Sequence, residues 1–382
     1  MPAIWSSAAF SVPLMLTCWR GSLQYTLSSL RAQSDPEGCG SHSFSGWTQP
    51  LGKGNPLRIA LIGAGRVAAT HAAVLRRTPG VDVIAVADPR GEAAHQLAAE
   101  FGAGAFTSLA QVLDSVPVDA VDIMVPHNLH HSLAKEALNA GVHVFMDKPI
   151  ASTVPQAREL CDIARRKDRV LAICHNLLFH PALQRTVEVI ETGMLGRVTS
   201  ATAWSSGWLD LAPWDFRLDK DATGGGAWVD GAPHLVYVLE ACLGQIEKLQ
   251  AILPQSSSRL GAEDTAVGQA LFNSGAVATI SVGYSDCPSG PDTDWPEGWR
   301  LGVNLIGTEG RLALDFLPRA QLTWQTKGQA ERLEPLWNVP FDAGFEGAFS
   351  DFAAAVKGES TLRVRPEDSL RNLELIKSAN DQ

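Results

Sequence analysis

Several features are scarce in this 382-residue chain, and each scarcity removes a class of function. No apolar run reaches the roughly 18 residues that a membrane-spanning helix requires, so no membrane crossing is expected. The six cysteines (Cys18, Cys39, Cys161, Cys174, Cys242 and Cys287) include no CxxC pair and no histidine-spaced partner. Neither a zinc site nor a disulfide framework is therefore suggested, and a reducing, cytoplasmic setting fits best. Positive charge is also short: 31 Lys and Arg against 41 Asp and Glu give a net charge of -10. Such a surface repels a phosphate backbone, which argues against a nucleic-acid partner. What is abundant is hydrophobic sequence, at 45% against 19% charged, enough to bury a large core and to exclude global disorder. The length suggests about two domains.

Residues 1–56 differ from the rest. They hold three of the 11 tryptophans, many serines and only five charged residues, with no sustained period. No Lys or Arg precedes the stretch Ala8 to Trp19, so a secretory signal is poorly supported; the composition leaves room for a transit peptide. Residues 1–56 read best as an extension outside the fold, disordered or misassigned. Its 3 basic and 2 acidic residues leave a net charge of -11 on residues 57–382.

The folded body opens with an apolar strand, Leu57 to Ile62, that runs into Gly63-Ala64-Gly65-Arg66-Val67-Ala68. Ala68, Ala72 and Leu75 then mark a helix, and a second strand, Val81 to Ala87, ends in Asp88. The order strand, glycine turn, helix, strand, acid is that of a dinucleotide site. Gly63 permits the turn, Gly65 admits a pyrophosphate, and Arg66 and Val67 open the helix whose N-terminus faces the phosphates. Asp88 suits an adenosine ribose diol and favours NAD, while Arg90 leaves NADP open. Alternation continues through helix Glu92 to Phe101, strand Ala120 to Val125, a helix over Leu133 to Ala140, strand Val142 to Met146, helix Thr153 to Lys167 and strand Val170 to Cys174. This predicts a doubly wound parallel sheet. Beyond Gly196 the pattern turns to hairpins, around Asn273-Ser274-Gly275 and Gly307 to Gly310. The fold class expected is α/β, a Rossmann sheet over 57–175 followed by an α+β domain over 176–382 with a large, mostly antiparallel sheet. The final helix is a candidate to pack back on the Rossmann part.

Lys148 follows the fifth strand, at the carboxyl edge where ligands bind in open α/β sheets. There an ammonium can stabilise a substrate oxygen as it loses its proton; the alternative is a surface pair with Asp147. Asp230 and His234 have the i, i+4 spacing that brings side chains to one helix face, where a carboxylate can orient an imidazole for proton transfer. Pro233 suggests instead that the helix starts near Ala232, with Asp230 just before it. Asn176, His180 and Arg217 are candidates for the substrate pocket or, equally, surface and capping residues. His127, His130 and His131 lack a Cys or carboxylate to complete a metal set, so no metal is expected. Trp204, Trp208, Trp214 and Trp228 offer aromatic faces for a sugar ring, although core packing is the commoner role. The tract Pro288 to Trp299 reads as a surface loop over the cleft.

Taken in order, Asp147-Lys148-Pro149, Pro126-His127-Asn128-Leu129-His130, Gly224-Gly225-Gly226-Ala227 with Asp230 and His234, and Gly307-Thr308-Glu309-Gly310 resemble the Gfo/Idh/MocA oxidoreductases. The resemblance spans roughly residues 57–382. It implies an NAD(P)-dependent oxidoreductase acting on a secondary alcohol or ketone of a sugar or cyclic polyol. It also implies that Pro126, His127, His130 and Asp147 lie against the cofactor, that Lys148 acts with the Asp230–His234 pair, that the Lys148–Pro149 bond is often cis, and that the protein is a homodimer or homotetramer. Some members of that family are hydrolases or lyases that retain NAD, and one is a non-catalytic galactose-regulon corepressor; the retained Lys148, Asp230 and His234 argue against the latter. Asp147 in place of Glu, Leu178 in place of Arg and Tyr237 in place of Asp depart from the family pattern and bear on the substrate.

Overall fold

The computed structural model describes residues 55–209, 211, 215–254, 261–284 and 298–379. Residues 1–54 lie outside this set, as do Trp214 and most of the 288–299 tract.

The first sheet contains β1 (Leu57–Ile62), β2 (Val81–Ala87), β3 (Gly104–Phe106), β4 (Ala120–Ile123), β5 (His143–Asp147) and β6 (Leu171–Cys174). All pairings are parallel and the order is β3-β2-β1-β4-β5-β6, a doubly wound sheet with its crossover beside β1. Helices α1 (Arg66–Arg77), α2 (Gly91–Ala99), α3 (Leu109–Ser115), α4 (His127–Asn139) and α5 (Val154–Lys167) connect its strands. The period-2 alternation of β1 divides its burial between two cores. Leu57, Ile59 and Leu61 face Ala68 and Leu75 of α1, whereas Ala60 and Ile62 join the core containing Ala134, Leu138 and Leu160. The helix starts follow local chemistry: Ser108 and Thr153 accept from Gln111 N and Gln156 N at the ends of α3 and α5. The three-residue β3 and the seven-residue α3 were not anticipated, being too short to display a period.

After α6 (Asn176–Phe179) and α7 (Pro181–Glu191) comes β7 (Val198–Gly207). A 3-10 turn (Phe216–Leu218), α8 (Lys220–Thr223) and α9 (Ala227–Leu243) follow. The second sheet is completed by β8 (Ile246–Ile252), β9 (Thr265–Phe272), β10 (Val277–Gly283), β11 (Trp299–Gly307), β12 (Gly310–Leu317), β13 (Gln321–Thr326) and β14 (Arg332–Pro335), and the chain ends in α10 (Ala343–Val356) and α11 (Pro366–Ser378). Its order is β14-β13-β12-β11-β7-β10-β9-β8, antiparallel throughout except for the parallel β7–β10 pair. Both predicted hairpins form, as β9–β10 and β11–β12. Trp299, expected within a loop, instead opens β11 and is buried.

One face of this sheet is covered by α9, which is apolar nearly all round. Trp228 lies fully in that core: its ring end fills the space left by Gly268, and its Nε1 donates to the carbonyl of Ile376 at 3.1 Å. It is therefore not a pocket wall. α9 also starts earlier than Pro233 suggested. Glu263 fixes the start at Ala227, its carboxylate accepting from Gly226 N at 3.1 Å and Trp228 N at 3.2 Å and its carbonyl accepting from Ala227 N at 2.8 Å. With its first N–H groups satisfied, the helix runs through Pro233 at the loss of one internal bond. α11 packs against α9 and against α5, with Arg158–Glu374 and Arg165–Glu367 ion pairs crossing from α5. Among the described residues no helix is long and apolar enough to cross a membrane.

Candidate active site

The glycine turn leaves β1 with Gly63 in the left-handed region, at φ +104°, and its N–H donates to the carbonyl of Ala87 at 2.8 Å. A Cβ here would lie 2.2 Å from the carbonyl oxygen of Met124, so β4 approaches too closely for any side chain. Gly65, at the N-cap of α1, is the opposite case: nothing lies within 4 Å of where its Cβ would be. No side chain caps α1 and no acid occupies its first turn, so Arg66, Val67 and their neighbours present free N–H groups to this open space. That cradle fits a dinucleotide pyrophosphate. Asp88 closes it from the tip of β2. Its Oδ2 accepts from Ala64 N at 2.8 Å, and its Oδ1 accepts from Arg90 N at 2.8 Å and Arg90 Nε at 3.0 Å. Burial pushes this carboxyl up, but the Arg90 guanidinium and the two N–H donors outweigh it and hold the group below its ordinary range. It stays ionised, as an acceptor for ribose hydroxyls must.

The three histidines of the β4–α4 region have separate partners. His127 is buried, with Nδ1 3.0 Å from the carbonyl of Thr223 and its ring edge-on to Phe216. Burial, reinforced by Lys148, lowers it to about 4. His130 has no exposed surface; its ring nitrogens lie 2.6 Å from Pro149 O and 2.9 Å from Val125 O. It thus ties the end of β4 to the end of β5. His131 pairs with Glu159 at 2.7 Å.

Lys148 follows β5 and is only 7% exposed. Its peptide bond to Pro149 is cis, and its N–H donates to Asp147 Oδ1 at 2.9 Å. The ammonium turns away from Asp147 toward α9, where Nζ donates to the backbone carbonyl of Asp230 at 2.9 Å and to its Oδ1. The other oxygen, Oδ2, accepts from the hydroxyl of Tyr284 at 2.8 Å, and His127 Nε2 stands 3.9 Å from Oδ1. Burial would raise Asp230, but Lys148, then His127 and Arg217, hold it far below the carboxylate range. The expected Asp230–His234 hydrogen bond does not form: both carboxylate oxygens are taken by donors from elsewhere in the fold. Among the described residues His234 has no hydrogen-bond partner, and burial together with nearby Lys148 lowers it to about 4. It is a neutral imidazole one helical turn beyond Asp230.

Arg217 forms a two-pronged pair with Asp215, at 2.8 and 2.5 Å, and its charge reaches Asp230. Asp215 lies 3.9 Å from Arg66, so this turn leans on the glycine-turn end of α1. Asn176 is buried at the start of α6 with no side-chain partner among the described residues. His180 takes its capping alternative: Nδ1 accepts from Ala182 N at 3.2 Å at the head of α7. Tyr237 packs its ring 3.9 Å from that of His175 and directs its hydroxyl at Ser369 in α11. Of the tryptophan group, Trp204 is half-buried on β7, beside Gly302, and Trp208 is 41% exposed. Two contributors escaped the sequence reading. Glu263 and Tyr284 stand in no motif, and only the pairing of β9 and β10 with the rest of the sheet brings them to α9.

Residues 57–175 match the model of the oxidoreductase family with an NAD-binding Rossmann fold, GFO_IDH_MocA, and residues 183–313 match the GFO/IDH/MocA C-terminal domain. The D-glucoside 3-dehydrogenase of Escherichia coli is 32% identical over 60% of this chain, which spans 64% of that relative's length. The 1,5-anhydro-D-fructose reductase of Ensifer adhaerens is 27% identical, over 83% of this chain and 93% of its own. Among solved structures, GenD2 from gentamicin A biosynthesis, in complex with NAD, superposes with a TM-score of 0.74 at 26% identity, covering 87% of this chain and 95% of that one.

Proposed function

The chain belongs to the Gfo/Idh/MocA family of NAD-binding oxidoreductases, and from that premise we propose that it oxidises a secondary hydroxyl, or reduces the matching ketone, of a sugar or cyclic polyol. The observation that carries this is Lys148 beside Asp230 at the carboxyl edge of the parallel sheet, with His234 neutral and unpaired nearby. Bound NAD supplies the hydride acceptor for the substrate carbon. An ammonium has three donors, and Asp230 takes two of them through its carbonyl and Oδ1, so one remains to grip the substrate oxygen. As the hydroxyl loses its proton to His234, that donor stabilises the charge growing on the oxygen. In the reverse direction the imidazolium returns the proton. Asp230 serves this scheme as the counter-ion of Lys148 rather than as the orienter of His234. Asn176 and Arg217 line the substrate side, and the relatives' glucoside and anhydro-fructose names favour a pyranose or its anhydro form.

A homo-oligomeric, cytoplasmic enzyme belongs to the same proposal; the sheet face on which Val267, Leu271, Val277 and Ile306 are exposed among the described residues supports the oligomer. The deciding experiment is a panel of sugars, anhydrosugars and cyclitols assayed for stoichiometric release of free NADH. Bond cleavage with no net NADH from any of them would refute the proposal and indicate an NAD-retaining hydrolase or lyase.

A further inference from the structure

Asp230 is the hub of the site, and what sets its orientation is not on its own helix. It sits in the first turn of α9, where its carboxylate is free to rotate about χ2 unless both oxygens are held. The charged and titratable groups facing it come from five other elements: Lys148 after β5, His127 on α4, Arg66 at the start of α1, Arg217 in the 3-10 turn and Tyr284 after β10. Four of them are cations or potential cations drawn to the same carboxylate. Tyr284 is the exception, a neutral donor on Oδ2.

Tyr284 is itself rigidly held. Its N–H donates to the carbonyl of Asp264 at 2.8 Å and its carbonyl accepts from Leu209 N at 3.2 Å. Its ring meets Trp299 edge-on at 5.5 Å. On the α9 side, the Tyr284 hydroxyl lies against Gly231, 3.5 Å from where a Cβ would stand, an ordinary contact distance. The sheet thereby fixes a hydroxyl at one point, and Asp230 is pinned to it.

We propose that Tyr284 is a positioning residue: by holding Asp230 Oδ2 it keeps Oδ1 and the backbone carbonyl aligned on Lys148, and so aims the remaining Lys148 donor at the substrate oxygen. This rests on the reading that Lys148 grips that oxygen. Without the phenol, Oδ2 loses its protein donor in a largely enclosed site, and the carboxylate turns toward Arg217 or His127, only 3.9 Å from Oδ1. Lys148 then keeps its charge but loses its direction. The phenol is not itself a proton source: burial, with Asp230 beside it, pushes it well above its ordinary value.

The test is Tyr284→Phe, which preserves the ring packing, with Tyr284→Cys, too short to reach Asp230, as a second variant. NADH affinity, read by cofactor fluorescence, verifies the fold of each. The expected result is unchanged NADH affinity, a KM within about threefold of the parent, and a kcat lowered by about tenfold to a hundredfold, the scale of one hydrogen bond to a charged group. A raised KM with unchanged kcat would overturn the inference, since it would mean that the phenol binds substrate directly. So would a lowered melting temperature with unchanged kcat. Lys148→Ala separates the two levels. If Lys148→Ala retains turnover, the functional reading fails and this inference with it; if Lys148→Ala is inactive while Tyr284→Phe keeps its kcat, this inference alone fails.

Discussion

Lys148 Nζ donates to both the backbone carbonyl and the carboxylate of Asp230, tying the tip of the parallel sheet to the first turn of the helix that covers the other sheet. The two residues are 82 positions apart. The site is therefore assembled across the two halves of the fold, and a change on either side is felt at the same ammonium.

Removing that ammonium tests it most directly. Lys148→Ala is expected to lower kcat by about 10²- to 10³-fold, as for loss of one oxyanion donor, with cofactor affinity retained. His234→Ala should lower kcat by about 10²- to 10⁴-fold. Steady-state kinetics on the substrate identified by the sugar panel provides the check.

Because His234 is held neutral down to about pH 4, the acid limb of kcat/KM for alcohol oxidation should fall near that value. An ordinary exposed histidine would place it near 6.5. A limb that moves or disappears in His234→Ala would assign it to His234, and a limb unchanged by that substitution would exclude His234 as the base.

Stability should respond to acid in the same range. His127, His143, His180 and His234 are each lowered by burial to about 4 in the folded chain. Between pH 6.5 and 4 the unfolded chain therefore binds more protons, and stability falls as pH drops through that window. Melting temperatures measured from pH 7 to 4 should decline steeply. His71 works in the opposite sense: burial opposes its charge, but Asp122 at 2.8 Å outweighs this and raises it. Its contribution is present at neutral pH and is lost on the alkaline side.

The two glycines of the turn should separate folding from binding. Gly63→Ala meets Met124 O at 2.2 Å in a left-handed backbone and should cost more than about 2 kcal/mol of stability. Gly65→Val fills open space, so stability should change by under about 0.5 kcal/mol while NADH affinity falls at least tenfold. Chemical denaturation and NADH titration of both variants measure this.

Asp88→Ser removes the acceptor that holds Arg90. The guanidinium is then available to a 2′-phosphate, and the ratio of NADP to NAD affinity should rise. An unchanged ratio would mean that Arg90 does not reach that position.

Five of the six strands of the parallel sheet were readable because each is a short apolar run ended by a turn signal; β2 has the limits its pattern suggests. The glycine turn was readable because phosphate chemistry needs bare backbone at Gly65. The i, i+4 rule put Asp230 and His234 on one helix face but had no means of weighing rivals for the carboxylate. Lys148 and Tyr284 win it from 82 and 54 residues away. Pro233 misled for a similar reason, since the start of α9 is set by Glu263 from a different part of the chain. The carbonyls that hold His130, of Val125 and Pro149, likewise follow from no pattern in the sequence. What pattern cannot supply is competition among partners that only the tertiary fold brings together.

The parallel pairing of β7 with β10, the exception in an otherwise antiparallel sheet, places Ser206 and Gly283 side by side in register. Both strands therefore leave the sheet at the same edge, where Leu209 N meets the carbonyl of Tyr284 and the Tyr284 phenol reaches Asp230. Two exits side by side next to one carboxylate form a natural point of divergence: insertions after either strand would reshape what the site accepts while every ladder bond of the scaffold stays in place.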